Sequence, residues 1–347
     1  MALIKVKARG TDNVTGRKNL IINGAMQVAQ RSTAAVQAGN GTYDTVDRMM
    51  TWSVAGGGTF TGSQSTGHQL ATGHDTAYKV DVTGADTSIA SGDYYEFLQR
   101  IEAKNLQHLR WGTAAAKKLQ VSFWVRATKT GIQSLFVSKQ GTGTDYRTVI
   151  NYTISVSDTW EHKTIEVPAL TASTIANDAS TYVQVGFILA MGSSFQNGTA
   201  GTWTTNSLYS TSNTVNNMDS TSNDFYVTGL QVEVGDTATD FEHRSFGEEL
   251  SLCQRYFYKF INTGLSDHYN FYSPYSPAQI TAGLPNSSAI CPMTFPVTMR
   301  AAPSMTTTLS GGTLNRQTST PFGYVAQMGT TSNGTHYITQ YLANAEL

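Results

Sequence analysis

Leu119-Gln-Val-Ser-Phe-Trp-Val-Arg126 carries apolar side chains at each odd position through Val125, while the even positions hold Gln, Ser, Trp and Arg. Successive side chains of a strand point to opposite faces, so a strict period of two marks a strand with one face in a core. Moving outward, Ile150-Asn-Tyr-Thr-Ile-Ser-Val156, Val183-Gln-Val-Gly-Phe-Ile-Leu-Ala-Met191 and Leu230-Gln-Val-Glu-Val234 repeat the pattern. Clusters of Gly, Ser, Asn and Asp, such as Lys139-Gln-Gly-Thr-Gly-Thr-Asp145, separate them as turns. Strands at this spacing predict a β-sandwich or jelly roll.

Composition agrees. Of 347 residues only 14% are charged and 39% are hydrophobic, and a chain so poor in charge suits sheet and turn better than surface helix. Lys and Arg number 23 against 24 for Asp and Glu, so there is no basic excess to displace counterions from a nucleic acid, and nucleic-acid binding is not expected. No stretch approaches the roughly 20 apolar residues of a membrane span, and the first residues lack an export signal's apolar run. The sequence therefore predicts neither membrane insertion nor secretion by its own signal. Cys253 and Cys291 stand alone beside Leu252 and Ile290, which predicts buried free thiols and no thiolate metal site.

One helix breaks the β pattern. Gly247-Glu-Glu-Leu-Ser-Leu-Cys-Gln-Arg-Tyr256 has acids in its first turn and apolar residues at helical spacing. It divides the chain into an N-terminal arm (1–18), a large β domain (19–245), a linking helix (246–258) and a smaller β domain (259–347). In the last, Ala289–Phe295, Ser304–Leu309 and His336–Leu342 are the strand candidates. Residues 56–74 and 192–224, rich in Gly, Ser, Thr and Asn, read as long loops, which in compact β domains commonly carry function.

Three stretches resemble a family of bacteriophage tail-fibre and virion-surface proteins with carbohydrate-binding-module-like jelly rolls. They are Lys18-Asn-Leu-Ile-Ile-Asn-Gly-Ala-Met-Gln-Val-Ala-Gln-Arg31 with Tyr43-Asp-Thr-Val-Asp-Arg48, then Leu119–Ala127, then Leu230–Arg244 running into Gly247–Tyr256. Pro296–Ser304 and Ala343-Asn-Ala-Glu-Leu347 resemble the small domain that often follows. The chain departs from the family at Ala29, where a large aromatic is usual. The resemblance implies an all-β chain: a jelly-roll β-sandwich, with Lys18–Arg31 as its opening strand, joined by a short helix to a smaller C-terminal β-sandwich. It further implies a non-enzymatic protein on the exterior of a phage particle, a homotrimeric tail fibre that binds host-surface polysaccharide. The other reading is a capsid or tail decoration that recognises nothing.

Within residues 1–18, Leu3, Ile4, Val6 and Arg9 belong to an alternating apolar and basic run without an obvious partner strand. Such a run can join another protein's sheet edge, here other phage tail or capsid proteins, or it can open its own domain. A sugar site needs an aromatic face for the pyranose C–H surface and neighbouring polar groups for the hydroxyls. Loop-borne candidates are Tyr94 and Tyr95, Trp203 and Tyr209, and above all Tyr269, Tyr272 and Tyr275 of His268–Tyr275, with Asn206, Asn213, Asp267, Asn270 and Gln279 nearby. Packing between subunits would use the same aromatics. Carboxyl pairs that could hydrolyse a glycan are Asp44 and Asp47, Asp93 and Glu96, Asp224 and Glu233, and Asp236 and Asp240, none in a catalytic motif. Analogy with carbohydrate-binding jelly rolls allows one structural calcium, with Asn23, Asp47 and Asp224 as donors.

Overall fold

The structure is a computed structural model that describes residues 17–54, 56–261, 288–309, 313–329 and 338–347, plus four two-residue strands noted below. In chain order the first lobe contains β1 (Val36–Gln37), β2 (Asn40–Thr42), β3 (Met50–Val54), β4 (Thr59–Ser65), the helical turn α1 (Gln69–Thr72), β5 (Ala77–Gly84) and β6 (Tyr94–Glu102). It continues with β7 (Leu119–Ala127), β8 (Gly131–Gln140), β9 (Tyr146–Ile154), β10 (Glu161–Val167), β11 (Tyr182–Met191) and β12 (Asp224–Val234). These strands form two six-stranded antiparallel sheets, ordered β1-β4-β5-β12-β7-β10 and β2-β3-β6-β11-β8-β9. The chain passes back and forth between the sheets, which makes this lobe a jelly-roll sandwich.

Alternation decides what lies between the sheets. Leu119, Val121, Phe123, Val125 and Ala127 of β7 meet Val183, Val185, Phe187 and Leu189 of β11 in one core. Phe97, Phe123, Phe187 and Phe225 form its aromatic centre, with Phe97 and Phe187 stacked at 5.0 Å. Each such buried side chain contributes about 1.5–3 kcal/mol relative to exposure.

Two sequence expectations need correction. Residues 56–74 are not one loop, because Thr59–Ser65 is a full strand paired with β5. Its Thr and Ser residues suit a pleated surface, and Phe60 anchors it in the core with no exposed area. Residues 18–31 resemble an opening strand but make no ladder. The segment instead runs beside β12 on isolated contacts, Leu20 N–H to Val232 O at 2.8 Å and Leu230 N–H to Gly24 O at 2.9 Å. At Gly24 a Cβ would sit 2.1 Å from the Leu230 oxygen, so only glycine allows this approach.

Helix α2 (Phe246–Gln254) starts at Ser245, whose side chain accepts the Glu248 N–H, and it leads into the smaller lobe. That lobe comprises β13 (Phe257–Ile261), β14 (Tyr272–Ser273), β15 (Ser276–Pro277), β16 (Ile280–Thr281), β17 (Ser288–Thr294), β18 (Ser304–Leu309), β19 (Thr313–Thr320), β20 (Gly323–Gly329), β21 (Thr335–His336) and β22 (Ile338–Asn344). Two three-stranded sheets, β13-β22-β18 and β17-β20-β19, enclose Phe295, Met299, Tyr324, Ala326, Ile338 and Tyr341. The chain is therefore all-β, a jelly-roll sandwich followed by a smaller sandwich across a short helix.

The lobes are fastened through buried charge. Glu346 pairs with Arg31 at 3.1 Å and with Arg48, and Arg31 also faces Asp47 at 3.8 Å. The Arg48 guanidinium lies 3.6 Å from the Tyr256 ring centre and that of Arg31 lies 3.7 Å from Phe257. Arg255 pairs with Glu102 at 3.2 Å, and the Tyr256 hydroxyl donates to the same carboxylate at 3.1 Å. Among the described residues no helix is long and apolar enough to cross a membrane.

Candidate functional site

Even-numbered positions of β6 leave the core and face outward from the second sheet. Register sets their neighbours: Trp52 of β3 lies opposite Glu96, Tyr94 opposite Met191, and Arg100 opposite Gln184. Across β11 and β8, Gln184 pairs with Ser138 and Tyr182 with Gln140. The sheet's outer face also carries an apolar patch of Met50, Leu98, Phe136, Ile188 and Met191. Phe136 lies flat there because position 186 is glycine: a Cβ on Gly186 would be 2.3 Å from the ring.

Residues 192–217 cover part of this face. Gly192 N–H bonds to Asp93 O at 2.7 Å, Gly201 N–H to Val149 O at 2.8 Å, and Asn217 N–H to Leu189 O at 2.8 Å. Arg147 and Thr204 form a reciprocal backbone bridge at 2.9 Å. The Arg147 guanidinium also donates to Thr205 O at 3.1 Å and Asn206 O at 2.8 Å. Thus held, the segment sets Tyr209 edge-on to Phe136 at 5.0 Å and Phe195 edge-on to Tyr94 at 5.4 Å.

Between cover and sheet lies a cleft of about 190 Å³ lined by Trp52, Tyr94, Glu96, Gln140, Gln184, Met191, Phe195, Ser207 and Tyr209. Aromatic rings and polar side chains line it together. The Trp52 indole N–H is buried within reach of the Tyr94 side chain. Glu96 is 5% exposed. Burial pushes its carboxyl pKa up to about 8, against the opposing pull of Arg100. Near neutral pH it is therefore protonated, a hydrogen-bond donor as well as an acceptor. Glu96 is the only carboxyl group among the described residues lining the cleft.

Of the sequence candidates, Tyr94 and Tyr209 meet in this cleft. Tyr95 does not: one position along β6 it turns into the core, where its hydroxyl donates to Asp86 at 2.7 Å and accepts the Gly58 N–H at 2.7 Å. Trp203 is occupied elsewhere, packed on the main core and edge-on to Trp111 at 5.2 Å, its indole N–H on Pro168 O at 2.9 Å. Asn206 lends its carbonyl to Arg147, and Asn213 is exposed. Leu3, Ile4, Val6, Arg9, Asp267, His268, Tyr269, Asn270, Tyr275 and Gln279 lie outside the described residues. Tyr272 and Cys291 are described at the backbone alone, within β14 and β17. Cys253 is free and buried, and burial raises its thiol pKa.

Of the carboxyl groups in the sequence-derived pairs, Glu96 alone lines this cleft. Asp44 accepts the Thr51 hydroxyl at 3.4 Å, while Asp47 accepts the Gln30 N–H at 2.9 Å. Asp93 accepts the Gly56 N–H at 3.2 Å, at the turn before Tyr94. Asp224 pairs with Lys79 at 3.3 Å, whereas Glu233 accepts the N–H and hydroxyl of Thr239, each at 2.7 Å. Asp236 is exposed, and Asp240 gives its carbonyl to Gln231 at 3.2 Å. Of the calcium candidates, Asn23 donates to Val28 O and Asp47 O at 2.8 and 3.0 Å and accepts the Val28 N–H at 2.9 Å. Its amide is fully used, and Asp224 sits six residues along β12 from the Leu230 contact that anchors that region. Among the described residues no three His, Cys, Asp or Glu side chains converge as a metal site.

Trp52 lies in ordinary strand sequence and carried no signal there, while Glu96 was named from sequence only as the partner of Asp93 in a carboxyl pair. A usable clue was the loss of alternation in Leu135-Phe-Val137 and Phe187-Ile-Leu189, which are apolar on both faces and so require cover on both.

No protein-family model matches the chain, and no curated protein matches it. Solved structures similar to part of it include the enzymatically active domain of tailspike protein 4 of bacteriophage CBA120, at 12% identity and a TM-score of 0.32, over 62% of this chain and 21% of that one. The family 11 carbohydrate-binding module of a Clostridium thermocellum cellulosomal cellulase is similar at 13% identity and a TM-score of 0.30, over 60% of this chain and 98% of the module. A tandem pair of family 22 modules from a Paenibacillus barcinonensis protein is similar at 13% identity and a TM-score of 0.31, over 59% and 50% of the two chains. The chain thus spans about a fifth of the tailspike chain and nearly all of the family 11 module.

Proposed function

We propose that this chain is a glycan-binding protein of a phage virion's outer surface, a homotrimeric tail fibre attached through residues 1–18, whose sugar site is the cleft on the second sheet. The observation that carries the sugar reading is the cleft's lining: Trp52, Tyr94 and Tyr209 offer ring faces, while Glu96, Gln140, Gln184 and Ser207 supply hydrogen-bonding groups. The resemblance of residues 18–48, 119–127 and 230–256 supports the virion setting. Three subunits would present three sites, so weak single-site binding becomes firm attachment through effective concentration.

Binding without hydrolysis fits a cleft to which the described residues bring one carboxyl group, because glycoside hydrolysis ordinarily uses two, about 5–9.5 Å apart across the scissile bond. The deciding experiment measures adsorption of purified protein to host cells and to polysaccharide extracted from them. Tyr94→Ala and Tyr209→Ala should each weaken adsorption about thirtyfold, the equivalent of a ring anchor worth about 2 kcal/mol, without changing the oligomer's sedimentation. Protein that ignores cells and polysaccharide yet docks to fibreless particles is a decoration or spacer. New reducing ends in the mixture would make it a depolymerase.

A further inference from the structure

On the first sheet, even positions of β7 leave the core, so Trp124 and Arg126 face outward. Thr228 and Tyr226 of β12 lie opposite them on one side, and His162 of β10 lies opposite Trp124 on the other. Residues 68–74, the turn that contains α1, are pinned to this face by a histidine at each end. The His68 ring is edge-on to Trp160 at 5.3 Å and to Tyr226 at 5.8 Å. The His74 ring stacks on His243 at 5.4 Å and meets Phe241 edge-on at 4.6 Å. Gly229, at the register shift of β12, makes room for it: a Cβ there would be 2.6 Å from His74 Nε2 and 3.2 Å from the Trp124 ring.

We propose that this turn is an acid-sensitive latch, closed on the first sheet near neutral pH and released in mild acid when His74 takes a proton. It stands apart from the sugar cleft, which belongs to the other sheet.

The surroundings of His74 favour its neutral ring. His74 is 6% exposed and His68 8%. Among the described residues, the titratable groups that act on His74 are His243, from the segment after β12, and His162 of β10, both basic. β7 and β12 present Trp124 and Gly229. The charged groups beside this cluster are engaged: Glu242 pairs with Arg244 at 3.1 Å, and Asp75 accepts the Gly67 N–H at 3.3 Å. Burial, then His243 and His162, bring the His74 pKa down from 6.5 to about 4, while burial and Arg126 lower that of His68 against the pull of Asp75. The stability linked to the neutral His74 ring is therefore present above about pH 6.5 and is lost as pH falls toward about 4.

The test follows amide hydrogen exchange in the whole protein at pH 7 and pH 5, corrected for the intrinsic rate at each. The probes are the His68, Thr72 and Gly73 amides, which bond to Asp75 O, His68 O and Gln69 O at 3.2, 3.1 and 2.8 Å. A pKa moved from 6.5 to about 4 makes these amides lose about twentyfold of their protection at pH 5, while those of β8 and β11 keep theirs. In His74→Phe, which keeps a ring and cannot be charged, most of that loss should disappear. Protection that holds at pH 5 in the parent, or that falls equally in His74→Phe, overturns the latch. The parent's own imidazole titration, followed by NMR, checks it without the variant: the His74 ring should titrate well below pH 6.5, and an ordinary midpoint overturns the proposal.

Discussion

Glu96 is the residue whose chemistry its surroundings change most within the cleft. Burial lifts its pKa from the ordinary 4.5 to about 8, so the folded chain keeps a proton that the unfolded chain releases. The stability linked to that proton is fully present below about pH 4.5 and is lost as pH rises through about 8. Glu96→Gln keeps the shape and removes the titration. Its denaturation midpoint should stay level between about pH 5 and 8 while the parent's declines, a divergence of a few kcal/mol at about 1.4 kcal/mol per pKa unit. Parallel curves would place the carboxyl in contact with solvent. At this scale one sequence criterion named Tyr94 and Tyr209, which line the cleft, together with Trp203 and Tyr95, which lie elsewhere. An aromatic in a turn-rich stretch does not reveal which way it points, and one step along β6 exchanges cleft for core.

At the scale of elements, alternation in β7, β11 and β12 was plain in the sequence, and so was the looped character of residues 192–224, whose last residue opens β12. What alternation hides is cover on a second face. Phe136 and Ile188 count as ordinary strand residues until the loop above them is placed, and that loop is held by hydrogen bonds from Arg147 and Gly201, which leave no periodic mark. Gly186 links strand and cover, since Phe136 lies over it and Tyr209 stands on Phe136. Gly186→Ala should therefore cost about 1–3 kcal/mol, as overpacking does in a close-packed layer. Urea titration would show the lower midpoint, and sugar binding should weaken with it. A variant as stable as the parent would mean that Phe136 has room to move.

Across the whole molecule, the order of two β lobes and a helix was legible because composition and periodicity change near residue 246. The fastening between lobes was not: Arg31 and Glu346 are 315 positions apart, and nothing local to either identifies its partner. Breaking such a buried pair on one side leaves a desolvated charge, a loss of about 3–5 kcal/mol. Glu346→Ala, which takes the carboxylate from Arg48 and leaves Arg31 with Asp47 alone, should split a single calorimetric unfolding transition into two as the smaller lobe comes free. A single transition at the parent's temperature would show that β13, β22 and their core hold the lobes together unaided.

Arg100 donates to the Leu347 main-chain oxygen on one side and lies 5.4 Å from the Trp52 ring centre on the other. One side chain thus joins the smaller lobe to the rim of the larger lobe's cleft. Were the chain the virion appendage proposed above, load on either lobe would reach the other through that guanidinium.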